Sequence, residues 1–250
     1  MKKKWLVLAT GIALASSAQA FDWGSLLKNT VEKPASQEQS AAGVDSLSNT
    51  EINSGLKEAL TRGADAAVAQ LGKQDGFFGN KKLRIPLPEP LKKAESAMRL
   101  LGMGNQADEL VLSMNRAAEA AVPEAKTLLV DAVKDMTLED AKGILTGGKT
   151  SATDFFRRKT EAKLSERFQP IVKTHTDKVG LAQQYNRYAS VAAQYNLVDK
   201  NQASVDQYVT QQALDRLYTV IGEKEAAIRA NPLQAGSDLL KKVFGAVSGN

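Results

Sequence analysis

The helical character of this chain is clearest in the stretch Leu47-Ser-Asn-Thr-Glu-Ile-Asn-Ser-Gly-Leu-Lys-Glu-Ala-Leu-Thr-Arg-Gly-Ala-Asp-Ala-Ala-Val-Ala-Gln-Leu-Gly72. Ser48 and Glu51 have the spacing of a capping box, and Leu47 has the position of a hydrophobic staple. Apolar residues then recur every three or four positions: Ile52, Leu56, Ala59, Leu60, Ala64, Ala67, Val68 and Leu71. This period predicts a helix that packs one face against a core and stops at Gly72 in a left-handed conformation.

Most later segments have the same helical period. New helices are predicted from Leu91, over 106–122, from Pro123, from Thr137, near Asp154, from Leu181 and around Tyr208. Pro170 lies inside one of these periodic regions, where we expect a kink or a new first turn. The fold class is therefore all-α, a compact bundle of short antiparallel helices that forms a single domain over residues 47–250.

One segment has neither helical nor simple strand periodicity. Residues 76–93 read Gly-Phe-Phe-Gly-Asn-Lys-Lys-Leu-Arg-Ile-Pro-Leu-Pro-Glu-Pro-Leu-Lys-Lys, and we call them the signature segment. Its prolines at 86, 88 and 90 oppose a helix and favour an extended backbone. Residues 82–85 could form a short strand, with a strand pair as one possibility.

The signature segment resembles part of a family of exported bacterial proteins known as domain of unknown function 4197. The likeness continues through Ala107–Ala121, Met136–Gly148, Asp154–Gly180, and a last block that runs from Tyr208 to Leu217 and again from Lys241 to Gly245. The resemblance implies an exported, helical protein. The family carries no assigned activity, so the resemblance supplies no catalytic residue.

The first 46 residues are predicted to direct export and then to lead into the domain. Three lysines, an apolar run from Trp5 to Ala15 and the sequence Ala18-Gln-Ala20 predict a signal peptide over residues 1–20. Residues 21–46 are interpreted as an amphipathic start followed by a small, polar linker. Because cysteine is absent, neither a lipid anchor nor a disulfide framework is expected. We expect a periplasmic protein without an integral membrane span.

The charge of the chain gives little support to nucleic-acid binding. Removal of the three leader lysines from 33 basic residues leaves 30, against 28 acidic residues. Because phosphate backbones need a sustained basic face, we expect no nucleic-acid partner. A terminal amphipathic piece over 237–247 could dock on the chain's own body, on a partner or on a membrane surface.

Three motifs that suggest chemistry are weak in this sequence. His175 is the one histidine of a cysteine-free chain, so a zinc site is not expected. Residues 143–150 match the letters of a phosphate-binding loop, but such a loop must follow a strand. Asp131 and Asp135 lie one helical turn apart, and a solvated face explains them better than a calcium site. We expect no catalytic residue, no metal and no cofactor.

Three pairs of residues remain as candidates for binding. Asn115 and Arg116 interrupt an alanine-rich helix, and a buried Arg116 would need Asp108, Glu119, Asp131 or Asp135 as its partner. Arg157 and Arg158 place cations near the start of a helix, where the dipole favours acids. An anionic partner, a neighbouring carboxylate or internal pairing with Glu161 or Glu166 could offset them. Tyr185 and Tyr188 would suit either a ligand cleft or an ordinary core.

The sequence favours a non-enzymatic periplasmic protein that binds an anionic or apolar ligand, or a protein partner in the cell envelope, with a homo-oligomer possible. The alternative is an envelope hydrolase that acts through Asp131, Asp135 and Arg116. That alternative requires these three groups to converge in one pocket.

Overall fold

The computed structural model describes residues 48–231, except Asn196 and Val198. The helices of this part are α1 (Asn49–Leu71), α2 (Glu89–Leu100), α3 (Gly104–Ala121), α4 (Ala125–Lys134), α5 (Leu138–Thr146), α6 (Ser151–Thr176), α7 (Gly180–Gln194) and α8 (Val205–Ala230). Short 3₁₀ turns at Val122–Glu124 and Lys200–Gln202 precede α4 and α8. The predicted all-α fold is confirmed. The predicted signal peptide, the linker and the amphipathic piece at 237–247 lie outside the described residues.

Helices α6 and α8 form the centre of the protein, with α3 packed on both of them and α1 packed on α8 and α4. Their facing residues are large and fully buried, among them Phe155, Phe168, Leu164, Leu217 and Tyr218. Burial of each such side chain is worth about 1.5–3 kcal/mol of folding free energy. The period of three and four that predicts these helices therefore also predicts which residues lie in the core.

The helix boundaries reflect local chemistry. Thr137 caps α5 as predicted: its hydroxyl accepts a hydrogen bond from the backbone N–H of Asp140, and the Asp140 carboxylate accepts one from the backbone N–H of Thr137. Burial alone would raise the pKa of Asp140, but these bonds and nearby Lys159 outweigh it, so its pKa is lowered. Pro170 lies within α6, which continues to Thr176. The prediction that a new helix starts at Pro170 is therefore wrong.

The end of α1 differs from its prediction. Helix α1 does stop at Leu71, but Gly72 has no left-handed backbone, and Asp75 has a φ of 64° instead. Asp tolerates this conformation because its short polar side chain can bond locally. Gly72 is needed for space, since a Cβ there would lie 3.1 Å from the Pro123 ring. The glycine thus permits close packing at the end of the helix.

The signature segment contains no strand. Its residues up to Pro88 form turns and an extended stretch, and α2 begins at Glu89, two residues before the predicted start. The possible strand over 82–85 is therefore absent. Phe77, Leu83, Ile85 and Leu87 are buried, so alternate residues of the extended stretch enter the core. Backbone groups of this stretch need hydrogen-bond partners other than a neighbouring strand.

Candidate functional site

Side chains of α3 hold the signature segment in place. Asn115 is fully buried; its Oδ1 accepts a bond from the backbone N–H of Ile85 at 2.8 Å, and its Nδ2 donates to the Ile85 carbonyl at 2.9 Å. Glu119 Oε1 accepts bonds from the backbone N–H groups of Phe77 at 3.0 Å and Phe78 at 3.1 Å. These bonds satisfy backbone groups that would otherwise be buried without partners.

Arg116 connects the Glu119 carboxylate to Asp75, which lies in the turn after α1. It donates to Glu119 Oε2 at 2.6 Å and to Asp75 Oδ1 at 2.8 Å. Glu119 was one of its predicted partners, and that pairing is confirmed. The bonds to Glu119 are the main reason that the pKa of Arg116 is raised. The guanidinium also lies 5.6 Å from the centre of the Phe78 ring. Nη1 and Nη2 of Arg116 thus each donate a hydrogen bond to a carboxylate of the protein.

Helix α8 holds the same segment from another side. Arg216 Nε donates to the carbonyl oxygen of Leu83 at 2.6 Å, and the Tyr208 hydroxyl donates to that of Pro86 at 3.2 Å. Burial lowers the pKa of Arg216 and raises that of Tyr208. Two polar residues from each of two helices therefore replace the ladder of hydrogen bonds that a second strand would provide.

The signature segment forms one wall of an open polar cavity with a volume of about 880 Å³. The end of α1 and Lys224 of α8 form the rest of the cavity. Its lining residues are Ala66, Gln70, Lys73, Gln74, Asp75, Gly76, Gly79, Asn80, Lys81 and Lys224. We call this cavity the lysine cleft. It combines amide groups, glycine backbone and three ammonium groups.

The lysine cleft has an excess of positive charge. Asp75 is its one carboxylate, and Arg116 already pairs with it. Within the described part of the chain, Lys73, Lys81 and Lys224 make no ion pair or side-chain hydrogen bond. Unpaired cations that share a concave surface focus the electrostatic potential and attract anions. The chemistry of the cleft therefore suits a ligand with several negative charges.

The cations near the start of α6 are largely compensated inside the protein. Arg157 pairs with Glu161 at 3.0 Å, a predicted partner, and with Asp215 at 3.3 Å, and it covers the Tyr218 ring at 4.6 Å. Arg158 is exposed. The dipole of α6 is offset by Glu225 of α8, which accepts bonds from the backbone N–H groups of residues 152 and 153. A neighbouring carboxylate was among the predicted explanations.

The two candidate tyrosines occupy different environments along α7. Tyr185 is 6% exposed and donates its hydroxyl hydrogen to the Gln202 carbonyl at 2.8 Å, and burial raises its pKa. Tyr188 is 73% exposed. Both line an apolar groove that we call the α7 groove, together with Pro90, Leu91, Leu181, Gln184, Ala189 and Ala192. The groove is lined mainly by apolar side chains, and the sequence had left a ligand cleft and an ordinary core open for these tyrosines.

The remaining motifs lie apart from these surfaces. His175 is exposed in the last turn of α6, and no group of acidic or histidine residues that could hold a metal occurs among the described residues. Residues 143–150 run from the last turn of α5 to the residue before α6, so they lack the preceding strand that a phosphate-binding loop requires. Asp131 pairs with Lys134, whereas Arg116 pairs with Glu119 and Asp75. The groups proposed for hydrolysis thus make separate ion pairs.

A family model described as "Protein of unknown function (DUF4197)" matches residues 46–245. The chain belongs to this family. The match confirms the predicted resemblance, and it spans the signature segment, the lysine cleft and the α7 groove. No curated protein and no solved structure matches the chain. Among the helices that the structure describes, none has both the length and the apolar character needed to cross a membrane.

Sequence reasoning missed the lysines of the cleft and the groups of other elements that bind the signature segment. Lys73, Lys81 and Lys224 are separated by up to 151 positions and share no motif. Arg216 lies on a helix whose period indicated only its buried face. A usable signal was present for Glu119, since an acid within Ala117-Ala-Glu-Ala-Ala121 has no apolar role on a helix that packs closely.

Proposed function

We propose that this DUF4197 protein is a non-enzymatic binding protein of the bacterial cell envelope, exported by the leader at residues 1–20, and that it binds an anionic ligand in the lysine cleft. The observation that carries the proposal is the charge of the cleft. Three lysines without partners among the described residues line it, and its single carboxylate is paired with Arg116. A ligand with phosphate or carboxylate groups would supply the missing negative charge.

The construction of the cleft wall supports this assignment. Asn115, Glu119 and Arg216 fix the backbone of the signature segment, so Asn80 and Lys81 are presented from a braced wall and not from a free loop. A braced wall loses little conformational entropy when a ligand binds. Gly79 is exposed and leaves backbone accessible beside the cations. These features favour binding over simple solvation of surface lysines.

The first test is native mass spectrometry of the chain from Phe21, purified from the periplasm without detergent. We expect excess mass from a bound anion. A second measurement is an NMR titration with pyrophosphate as the probe. It should shift the backbone amides of residues 70–81 in a saturable manner, and the shifts should weaken as salt screens the charges.

Two triple variants with the same net charge show whether the anion binds in the lysine cleft. Replacement of Lys73, Lys81 and Lys224 by glutamine should abolish the excess mass and weaken pyrophosphate binding at least about tenfold, since three charge-assisted contacts are lost. Replacement of the exposed Lys142, Lys149 and Lys163 by glutamine changes the charge equally but leaves the cleft intact. Equal behaviour of the two variants, or no excess mass and no amide shift in the unmodified protein, would refute the proposal.

A further inference from the structure

Helix α7 is apolar over more of its surface than the protein covers. At 100° per residue, its apolar residues from Leu181 to Tyr195 span about half of the helix circumference. Leu181, Ala182, Tyr185 and Ala189 are buried against the body. The neighbouring side of the same arc carries Tyr188, Val191 and Tyr195, which are 73%, 52% and 72% exposed.

This second face has the spacing of a helix-packing surface. Tyr188, Val191 and Tyr195 are separated by three and four residues, so their side chains form one stripe. Leu197 follows the helix and is 78% exposed. A helix with a wide apolar surface is ordinarily buried on that whole surface. The exposed stripe is therefore a contact surface without a partner in the described structure.

The stripe lies beside a complementary depression. The α7 groove is lined by the small residues Ala189 and Ala192 and by Leu91 and Pro90, among others. Tyr188 belongs to both features, because it lines the groove and projects beyond it. A surface with an aromatic projection next to an apolar depression of its own is suited to a two-fold contact, in which each copy inserts its projection into the other's depression.

We propose that the exposed face of α7, with the α7 groove, is the interface of a homodimer related by a two-fold axis. The charge of the helix favours a second copy as the occupant. Arg187 is the single charged residue of Gly180–Gln194, and the other polar positions are glutamine, asparagine and serine. Arg187 is exposed one helical turn before Val191, at the edge of the stripe, so like-charge repulsion between two copies is confined to this one pair.

The available area indicates a dimer of moderate strength. Burial of a tyrosine removes about 150–250 Å² from water, so Tyr188, Tyr195 and their two aliphatic neighbours offer several hundred Å². The groove walls add to this, and the sum stays below the about 800 Å² per partner of a standard interface. We therefore expect a dimer that dissociates on dilution. The proposal is independent of the lysine cleft.

The test is sedimentation equilibrium of the chain from Phe21 between about 1 µM and about 1 mM, a range that brackets moderate affinities. The unmodified protein should pass from monomer to dimer. The double variant Tyr188→Asp/Tyr195→Asp should weaken association at least about tenfold, because the axis brings like charges together. Its circular dichroism and thermal midpoint should stay unchanged, since both side chains are exposed. Ser190→Asp, on the polar side of α7, should dimerise like the unmodified chain.

The absence of cysteine gives a second test of geometry. A thiol-specific crosslinker with a flexible spacer should join two copies of the Val191→Cys variant, whereas it should not join two copies of Ser190→Cys. A protein that remains monomeric at the highest concentration overturns the proposal. In that case, hydroxyl-radical protection of Tyr188 would indicate that a terminal segment of the same chain covers the face, and free reactivity would direct attention to a different protein. Equal dimerisation of the Tyr188→Asp/Tyr195→Asp variant would also overturn it.

Discussion

Asn115 makes to Ile85 both hydrogen bonds that a neighbouring β-strand would make. Its Oδ1 accepts a hydrogen bond from the Ile85 N–H at 2.8 Å, and its Nδ2 donates to the Ile85 carbonyl at 2.9 Å. Nδ2 donates a second bond to the Val111 carbonyl at 2.7 Å. A side chain on a helix thus pairs the extended stretch in a chain region where the structure describes no strand. This explains how a proline-rich segment can cross the core of an all-α protein.

Replacement of Asn115 by alanine should therefore lower the free energy of unfolding by about 3 kcal/mol. The substitution leaves a buried N–H and a buried carbonyl of Ile85 without partners, and each such loss costs about 1–3 kcal/mol. Urea denaturation measures the change. Asn105→Ala, at an exposed position of the same helix, serves as the control and should be nearly neutral. A loss as small as that of the control would mean that Asn115 does not brace the segment.

Removal of the Glu225 carboxylate should destabilise the junction of α5 and α6. Glu225 accepts bonds from the Thr153 N–H and hydroxyl, and it pairs with Arg229 at 2.9 Å. Because Glu225→Ala leaves Arg229 unpaired near the core, we expect a loss of about 3–5 kcal/mol in unfolding experiments. Exposed Glu223 lies two residues away, and its replacement by alanine should have almost no effect. If Glu225→Gln were as stable as the unmodified protein, the charge of Glu225 would be unnecessary.

Stability should fall at alkaline pH because of Tyr218. Its hydroxyl is buried and bonded to Thr160 at 2.9 Å, and burial raises its pKa to about 12 from the usual value of 10.0. Between these values the unfolded chain loses the phenolic proton while the folded protein keeps it, so the free energy of unfolding decreases as pH rises. The shift in the pKa of Tyr218 corresponds to a total loss of roughly 2–3 kcal/mol in the free energy of unfolding. In urea titrations from pH 9 to 12, Tyr218→Phe should show a correspondingly shallower decline, and parallel curves would contradict this prediction.

Two glycines should respond in opposite directions to alanine. A Cβ at Gly76 would overlap the carbonyl oxygens of Gln70 and Leu71, so Gly76→Ala should cost at least about 2 kcal/mol. Gly143 lies in the middle of α5 with open space around it. Gly143→Ala should therefore stabilise the protein by about 0.5–1 kcal/mol, because alanine has less backbone freedom to lose. Thermal unfolding of both variants tests the pair, and stabilisation by Gly76→Ala would show that the turn can relax.

The sequence predicted the environment of Arg157 better than that of the lysine cleft. Arg157 and Glu161 are four residues apart on one helix, so helical geometry alone brings them together. Lys73 and Lys224 meet only because α1 and α8 pack against each other. Local periodicity does not predict which residues of different helices come together. The same limit explains why Tyr185 and Tyr188, three residues apart, could not be assigned as buried and exposed from their spacing.

The sequence by itself determined the helices, most of the core and the family, because apolar spacing, caps and prolines act over a few residues of chain. It also indicated that the signature segment up to Pro88 is not helical, since proline lacks an N–H and fixes its backbone angle. Pro90 lies in the first turn of α2, where proline is tolerated. Only the tertiary structure decided which side chains make hydrogen bonds to the backbone of that segment. Asn115, Glu119 and Arg216 come from helices 30 to 133 positions away, and their bonds to it form only when the helices have packed. The lysine cleft and the exposed face of α7 are products of that packing.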